Sequence, residues 1–381
     1  MRTRTTFSQS FLEAAVTRST RFALAAAGFA TVACSGGESK RTSDSAATSP
    51  SPATARSAGV DLTGAGATFP YPIYSKWISD YAAKTGIKIN YQAIGSGGGI
   101  RQLSEGTVDF AGSDAPMTDE EMAKAKGGPI IHIPSVLGAV VITYNLPEVT
   151  QPLNLSGDVV ADIFLGKIKK WNDGRITSLN PGAKLPAKDI LVVHRAEASG
   201  TTYIFSDYLT AVSSAWASGP GKGKELEWPV GLGGKGNDGV SGQVKQTPGT
   251  IGYVELAYAN QNRLPVAKIK NAAGQYVVPA IESITAAAAA AVEKLPLTTD
   301  YRVSIVNAPG AQAYPVSSFT WLLMYQKQAD ATKAKKLTDF LKWALTDGER
   351  SAGALDYAPL PEALSKQLLE KLASIQGGTA S

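Results

Sequence analysis

The chain has 381 residues, 18% of them charged and 44% apolar, and a net charge of +5. Its length accommodates two domains of ordinary size. Of the net charge, +3 falls in residues 1–33 and +1 in residues 34–58, leaving +1 from Gly59 onward. So nearly neutral a body excludes the electrostatic footprint of a nucleic-acid binder, and one cysteine with two histidines is too few ligands for a structural zinc site.

Residues 1–33 have the layout of a signal peptide. Arg2, Arg4, Arg18 and Arg21 precede the apolar run Phe22–Ala33, which is too short to span a bilayer as a helix. The run ends at Cys34, and Val32-Ala33-Cys34-Ser35-Gly36-Gly37 resembles a bacterial lipobox with Thr31 in place of the usual leucine. Lipidation at Cys34 is the expectation, with a plain signal peptide cut nearby as the alternative. Residues 34–58 are rich in Ser, Thr, Ala, Pro and Gly; they carry too little apolar surface to fold and read as a flexible, lipid-anchored tether.

From Val60 short apolar runs alternate with helical patterns, which argues for an α/β fold. The spacing of Ile73, Trp77, Ile78 and Tyr81 predicts a helix over 72–82. Residues 87–91 alternate as a strand, 100–105 read as a short helix, and 108–112 as the next strand. Residues 136–144 form a buried-type run that crosses over. A strand at 191–194 leads into a helix at 201–211. Residues 212–250, rich in Gly and Lys, read as loop before a strand at 252–255. A helix is expected at 285–294 by propensity alone. Strands at 303–306 and 319–325 and helices at 333–346 and 361–373 complete the series.

Four segments stand where a strand should hand over to a helix: Gly64-Ala-Gly-Ala-Thr68-Phe69-Pro70, Gly95-Ser96-Gly97-Gly98-Gly99, Gly112-Ser113-Asp114-Ala115-Pro116, and His194-Arg195-Ala-Glu197-Ala-Ser199-Gly200-Thr201-Thr202. Glycine lets a ligand approach the backbone, and the free N–H groups of a helix start favour an anion. Each segment alone is more often a turn. Asp114 could instead cap a helix, and Thr118-x-x-Glu121 also matches a capping box. Together they suggest a tetrahedral oxyanion held by several loops. Catalytic alternatives are thin: the chain has no phosphate-loop spacing and no Gly-x-Ser-x-Gly elbow. Ser96 or Ser199 with His194 as base is disfavoured, because adjacent strand residues point to opposite faces and His194 cannot share the site with Arg195.

Read together with Leu165–Trp171, Gly231–Gly239 and Pro248–Glu255, these segments resemble the phosphate-binding proteins of bacterial phosphate ABC transporters, over about residues 60–373. The resemblance implies a two-lobed periplasmic-binding-protein fold (type II-like) with a hinge between lobes. Residues 59–138 plus 308–381 would form lobe 1 and residues 139–307 lobe 2. It implies a phosphate site made of Thr68, Phe69, Ser96, Asp114, Arg195, Ser199, Gly200 and Thr201, with Asp114 the single acceptor. Glu197 stands where family members often have Asp, as the partner of Arg195 and not a ligand. No catalytic residue, cofactor or metal is implied. The expected partners are inorganic phosphate and the membrane permease subunits of a phosphate ABC importer, and the protein would act as a monomer outside the cytoplasmic membrane. The alternatives are a binding protein for sulfate or molybdate and, from other classes, a secreted phosphatase or a surface adhesin.

Overall fold

The computed structural model describes residues 61–292 and 300–377. The signal peptide, Cys34 and the tether lie outside the described residues. In chain order the strands are β1 Leu62–Gly66, β2 Ile89–Ala93, β3 Phe110–Ser113, β4 Ile130–Tyr144, β5 Asn154–Leu155, β6 Leu191–Arg195, β7 Leu232–Gly234, β8 Thr250–Glu255, β9 Lys268–Lys270, β10 Tyr276–Val277, β11 Ser317–Tyr325, β12 Lys327–Gln328 and β13 Gln376–Gly377. Eight of these make one sheet in the order β2-β1-β3-β11-β4-β8-β6-β7. Two small sheets, β10-β9-β5 and β12-β13, lie outside it.

β4 organises the sheet. All 15 of its residues are buried, as expected for a strand covered on both faces. It pairs antiparallel with β11 from Ile130 to Ala139, then antiparallel with β8 from Val140 to Tyr144. One strand therefore belongs to two groups of neighbours: β1, β2 and β3, mutually parallel, on one side, and β6, β7 and β8, mutually parallel, on the other.

The helices after the parallel strands form for local reasons. Tyr71–Thr85 starts with proline in its first turn and stops at Gly86, in the left-handed region at φ 76°; it buries Ile73, Tyr74, Trp77 and Tyr81. The helix after β2 spans Ser96–Glu105, so the glycines read as a loop lie inside its first turn. Gly99 is required there because the helix lies directly on β1: a Cβ on it would meet the Gly66 backbone at 2.5 Å, whereas one on Gly97 would meet the Ala198 side chain at 2.4 Å. After β6, Gly200–Val212 is capped by the Ser199 hydroxyl, which accepts from the Thr202 N–H.

Two expectations are corrected. Residues 212–250 are not simply loop: they contain helices Ser214–Ala217 and Gly236–Gln246 and strand β7. Val240 and Val244 are both buried one turn apart, a signal too short to stand out among glycines. Conversely, residues 303–306 form no strand. Tyr301 and Asn307, both with positive φ, bracket them, which breaks the extended backbone a ladder needs.

Candidate anion-binding site

Five of the parallel strands end at the same place. β1 turns through Ala67-Thr68-Phe69 into its helix, β2 through Gly95 into Ser96, β3 into Asp114, β6 ends at Arg195, and β7 leads into the helix beginning at Gly236. The carboxyl ends of parallel strands are where open α/β sheets hold ligands.

The side chains at these ends are buried and joined to one another. Thr68 and Arg195 are nearly fully buried, as are Ser96, Asp114, Ser199 and Thr201. The Ser96 hydroxyl oxygen accepts from the Gly200 N–H at 3.1 Å and from the Asp114 N–H at 3.2 Å. Arg195 Nη1 donates to Thr201 Oγ1 at 2.8 Å, while its Nε and Nη2 go to Glu197 Oε1. The Glu197 carboxylate also accepts from the Gly236 N–H at 3.1 Å, so it steers the arginine from outside. Gly200 has no room for a side chain: a Cβ there would come within 2.4 Å of Ser96 Oγ and 2.6 Å of Asp114 Oδ2.

Asp114 is the acidic member. Its Oδ1 accepts from the Thr320 hydroxyl at 2.8 Å. Burial pushes its carboxyl up to about 7, against the opposing pull of the Thr320 hydroxyl, the Arg195 charge and Ser96. It does not cap a helix: the capping box on Asp119–Ala123 is made by Thr118 and Glu121.

The loop holding Thr68 and Phe69 is fixed from behind. The Thr68 carbonyl accepts from the Tyr258 hydroxyl at 2.6 Å and the Phe69 carbonyl from the Tyr357 hydroxyl at 2.6 Å. A peptide unit is planar and trans, so a carbonyl held outward turns the following N–H the other way. The Phe69 ring is buried, edge-on to Tyr357.

The structure thus brings Thr68, Phe69, Ser96, Asp114, Arg195, Ser199, Gly200 and Thr201 to one locus. Asn237 joins them, fully buried, with its amide donating to Thr68 Oγ1 at 2.9 Å and Thr201 Oγ1 at 3.3 Å. Sequence reasoning did not single out Asn237 or Thr320; the only signal for Asn237 was its place in the Gly231–Gly239 segment. His194 faces away: its ring stacks on Trp228, centroids 4.6 Å apart and planes 10° apart, with Nδ1 at 2.9 Å from the Arg195 carbonyl oxygen. It makes no hydrogen bond to Ser96 or Ser199 among the described residues, so the arrangement of a serine hydrolase is not formed.

Chemically the locus is a set of buried hydroxyl and N–H donors, one guanidinium paired with Glu197, and the buried carboxylate of Asp114. Such a set can hold a small oxyanion. Burying the anion is tolerable only when its oxygens are fully hydrogen-bonded.

The PBP superfamily domain matches residues 44–348. Phosphate-binding protein PstS of Xylella fastidiosa (strain Temecula1) is 46% identical over 326 residues, covering 85% of this chain and 88% of that protein. Phosphate-binding protein PstS of Pasteurella multocida is 47% identical over 308 residues, covering 81% and 88%. Among solved structures, a high affinity periplasmic phosphate-binding protein (PfluDING) bound with phosphate superposes with a TM-score of 0.64 at 23% identity, over 84% of this chain and 100% of that one; this likeness establishes the fold. The chain has the two-lobed periplasmic-binding-protein architecture and belongs to the PstS family of phosphate-binding proteins within the PBP superfamily.

Proposed function

We propose that this protein binds inorganic phosphate outside the cytoplasmic membrane and hands it to the permease subunits of a phosphate ABC importer, with no chemistry of its own. The observation that carries this reading is the buried convergence of Thr68, Ser96, Arg195, Ser199, Gly200 and Thr201 around the buried carboxylate of Asp114. Hydrogen bonds to a charged group contribute roughly 1.5–3 kcal/mol each, so this many donors exceed the roughly −8 kcal/mol of micromolar affinity. The relatives' names as phosphate-binding proteins support the same ligand.

The lobes are residues 59–138 with 308–381, and residues 139–307. In support, β4 changes partner between Ala139 and Val140, and β11 brings the chain back beside β3. Thr68, Ser96 and Asp114 then come from one lobe and Arg195 to Thr201 from the other, so closure assembles the site and excludes water. The working form is a monomer, exported and anchored through lipid at Cys34.

Calorimetry of the mature domain from Gly59 against phosphate and sulfate tests the ligand. Tight phosphate binding with weak sulfate binding is expected; equal affinity would overturn the reading. Solution scattering should show compaction on adding phosphate, and an unchanged radius of gyration with phosphate bound would count against hinge closure.

A further inference from the structure

We propose that Asn237 is a positioning residue that commits the hydroxyls of Thr68 and Thr201 to act as hydrogen-bond donors toward the bound anion. The proposal rests on the phosphate-binding reading and deepens it.

A hydroxyl carries one hydrogen and two lone pairs, so by itself it is an ambiguous partner. Around Thr68 and Thr201 the ambiguity is removed. Thr68 Oγ1 accepts twice from Asn237, from the side-chain Nδ2 at 2.9 Å and from the backbone N–H at 3.3 Å. Thr201 Oγ1 accepts from Arg195 Nη1 at 2.8 Å and from Asn237 Nδ2 at 3.3 Å. None of these groups can accept in return. With both lone pairs of each oxygen engaged, each hydroxyl hydrogen must be given outward, and an oxyanion presents only acceptors on that side.

The orientation of the Asn237 amide is itself fixed. Its Oδ1 accepts from the Glu255 N–H at 3.0 Å, which leaves the NH₂ end for the two threonines. Glu255 closes β8 opposite Val140, so the amide is held by the main sheet and not by a loop. Asn237 is fully buried, in the first turn of its helix. Its NH₂ reaches Thr68, after β1, and Thr201, after β6, at once; one side chain sets the polarity of two hydroxyls on separate elements.

The test compares Asn237→Asp and Asn237→Ser in the parent and in Thr68→Val, by titration with inorganic phosphate. Asn237→Asp keeps the shape but turns a donor into an acceptor, so the hydroxyl protons swing inward; phosphate affinity should fall on the order of 100-fold in the parent. Its added charge acts in both backgrounds, whereas the orienting effect on Thr68 needs a hydroxyl. The cost should therefore shrink at least about threefold in Thr68→Val. Asn237→Ser should cost roughly three- to tenfold in the parent and less in Thr68→Val; it decides the matter if the aspartate variant does not fold. Equal costs in the two backgrounds, or an Asn237→Asp variant that binds like the parent, would overturn the proposal. Failure of the parent to bind phosphate would instead overturn the reading on which it rests.

Discussion

In the proposed phosphate site, Asp114 is the residue at which ligand choice becomes a question of protons. An ionised carboxylate only accepts, and so needs a ligand that carries a hydrogen; phosphate does in both of its common charge states near neutrality, and sulfate does not. A neutral carboxylic acid can donate, and it would tolerate sulfate. Because burial places the Asp114 carboxyl at about 7, the two forms exchange across neutrality. The sign follows: protonation below that value favours sulfate, ionisation above it excludes sulfate. Sulfate affinity should rise about tenfold from pH 8 to pH 6 at fixed ionic strength, with phosphate affinity changing less. Titrations at both pH values check this, and a flat sulfate affinity would contradict it. Most of the residues around Asp114 were legible in the sequence, because Ser96 and the Arg195–Thr201 run sit beside or contain glycine at a strand end, and Thr68 follows Gly66 by two residues. Asn237 was not. It acts through a hydrogen-bond pattern that exists only once helix Gly236–Gln246 is docked against β8, and no spacing in the chain announces that.

At the scale of elements, β4 runs through both parts of the sheet, and further contacts tie the two parts together around the site. The Gly97 N–H donates to the Ala198 carbonyl at 3.0 Å. Further out, Lys224 pairs with Glu121 at 2.5 Å, both side chains partly buried. Glu121 already serves the capping box of Asp119–Ala123, and the Lys224 carbonyl accepts from the Ser199 N–H at 2.8 Å. The ion pair therefore fastens a capped helix to the start of the proposed ligand loop and, in the proposed hinge motion, should slow reopening. Lys224→Met is expected to raise the phosphate dissociation rate about fivefold, the effect of roughly 1 kcal/mol, while the association rate stays near that of the parent. Stopped-flow displacement measures both; an unchanged dissociation rate would remove the pair from any role in closure. Elements were legible where period and capping agreed, as in Tyr71–Thr85 and Gly200–Val212. They were missed where glycine hid a short helical period, as in Gly236–Gln246. They were invented where an apolar run is bracketed by left-handed residues, as at 303–306.

For the molecule as a whole, alternation of strands and helices was enough to read an α/β fold, and the apolar run at 136–144 was enough to read a crossover. The true extent of β4, from Ile130, could not be read, because Ile130–Pro134 is buried by pairing with the distant β11. The parallel group of β6, β7 and β8 carries an aromatic stack behind the site. Trp228 lies between His194 and Tyr253, the latter at 5.8 Å and 25°. The Tyr253 hydroxyl in turn accepts from the Arg195 N–H at 3.1 Å and meets the Thr202 hydroxyl at 2.6 Å. An indole is thus wired, through one phenol, to the backbone of the arginine expected to grip the anion. Burial keeps the His194 imidazole below its usual pKa, so at neutral pH it is a poor quencher of that indole. The chain thereby carries its own optical gauge: intrinsic fluorescence should shift in proportion to bound phosphate without any dye, and Trp228→Phe should silence most of that signal while the remaining five tryptophans keep emitting.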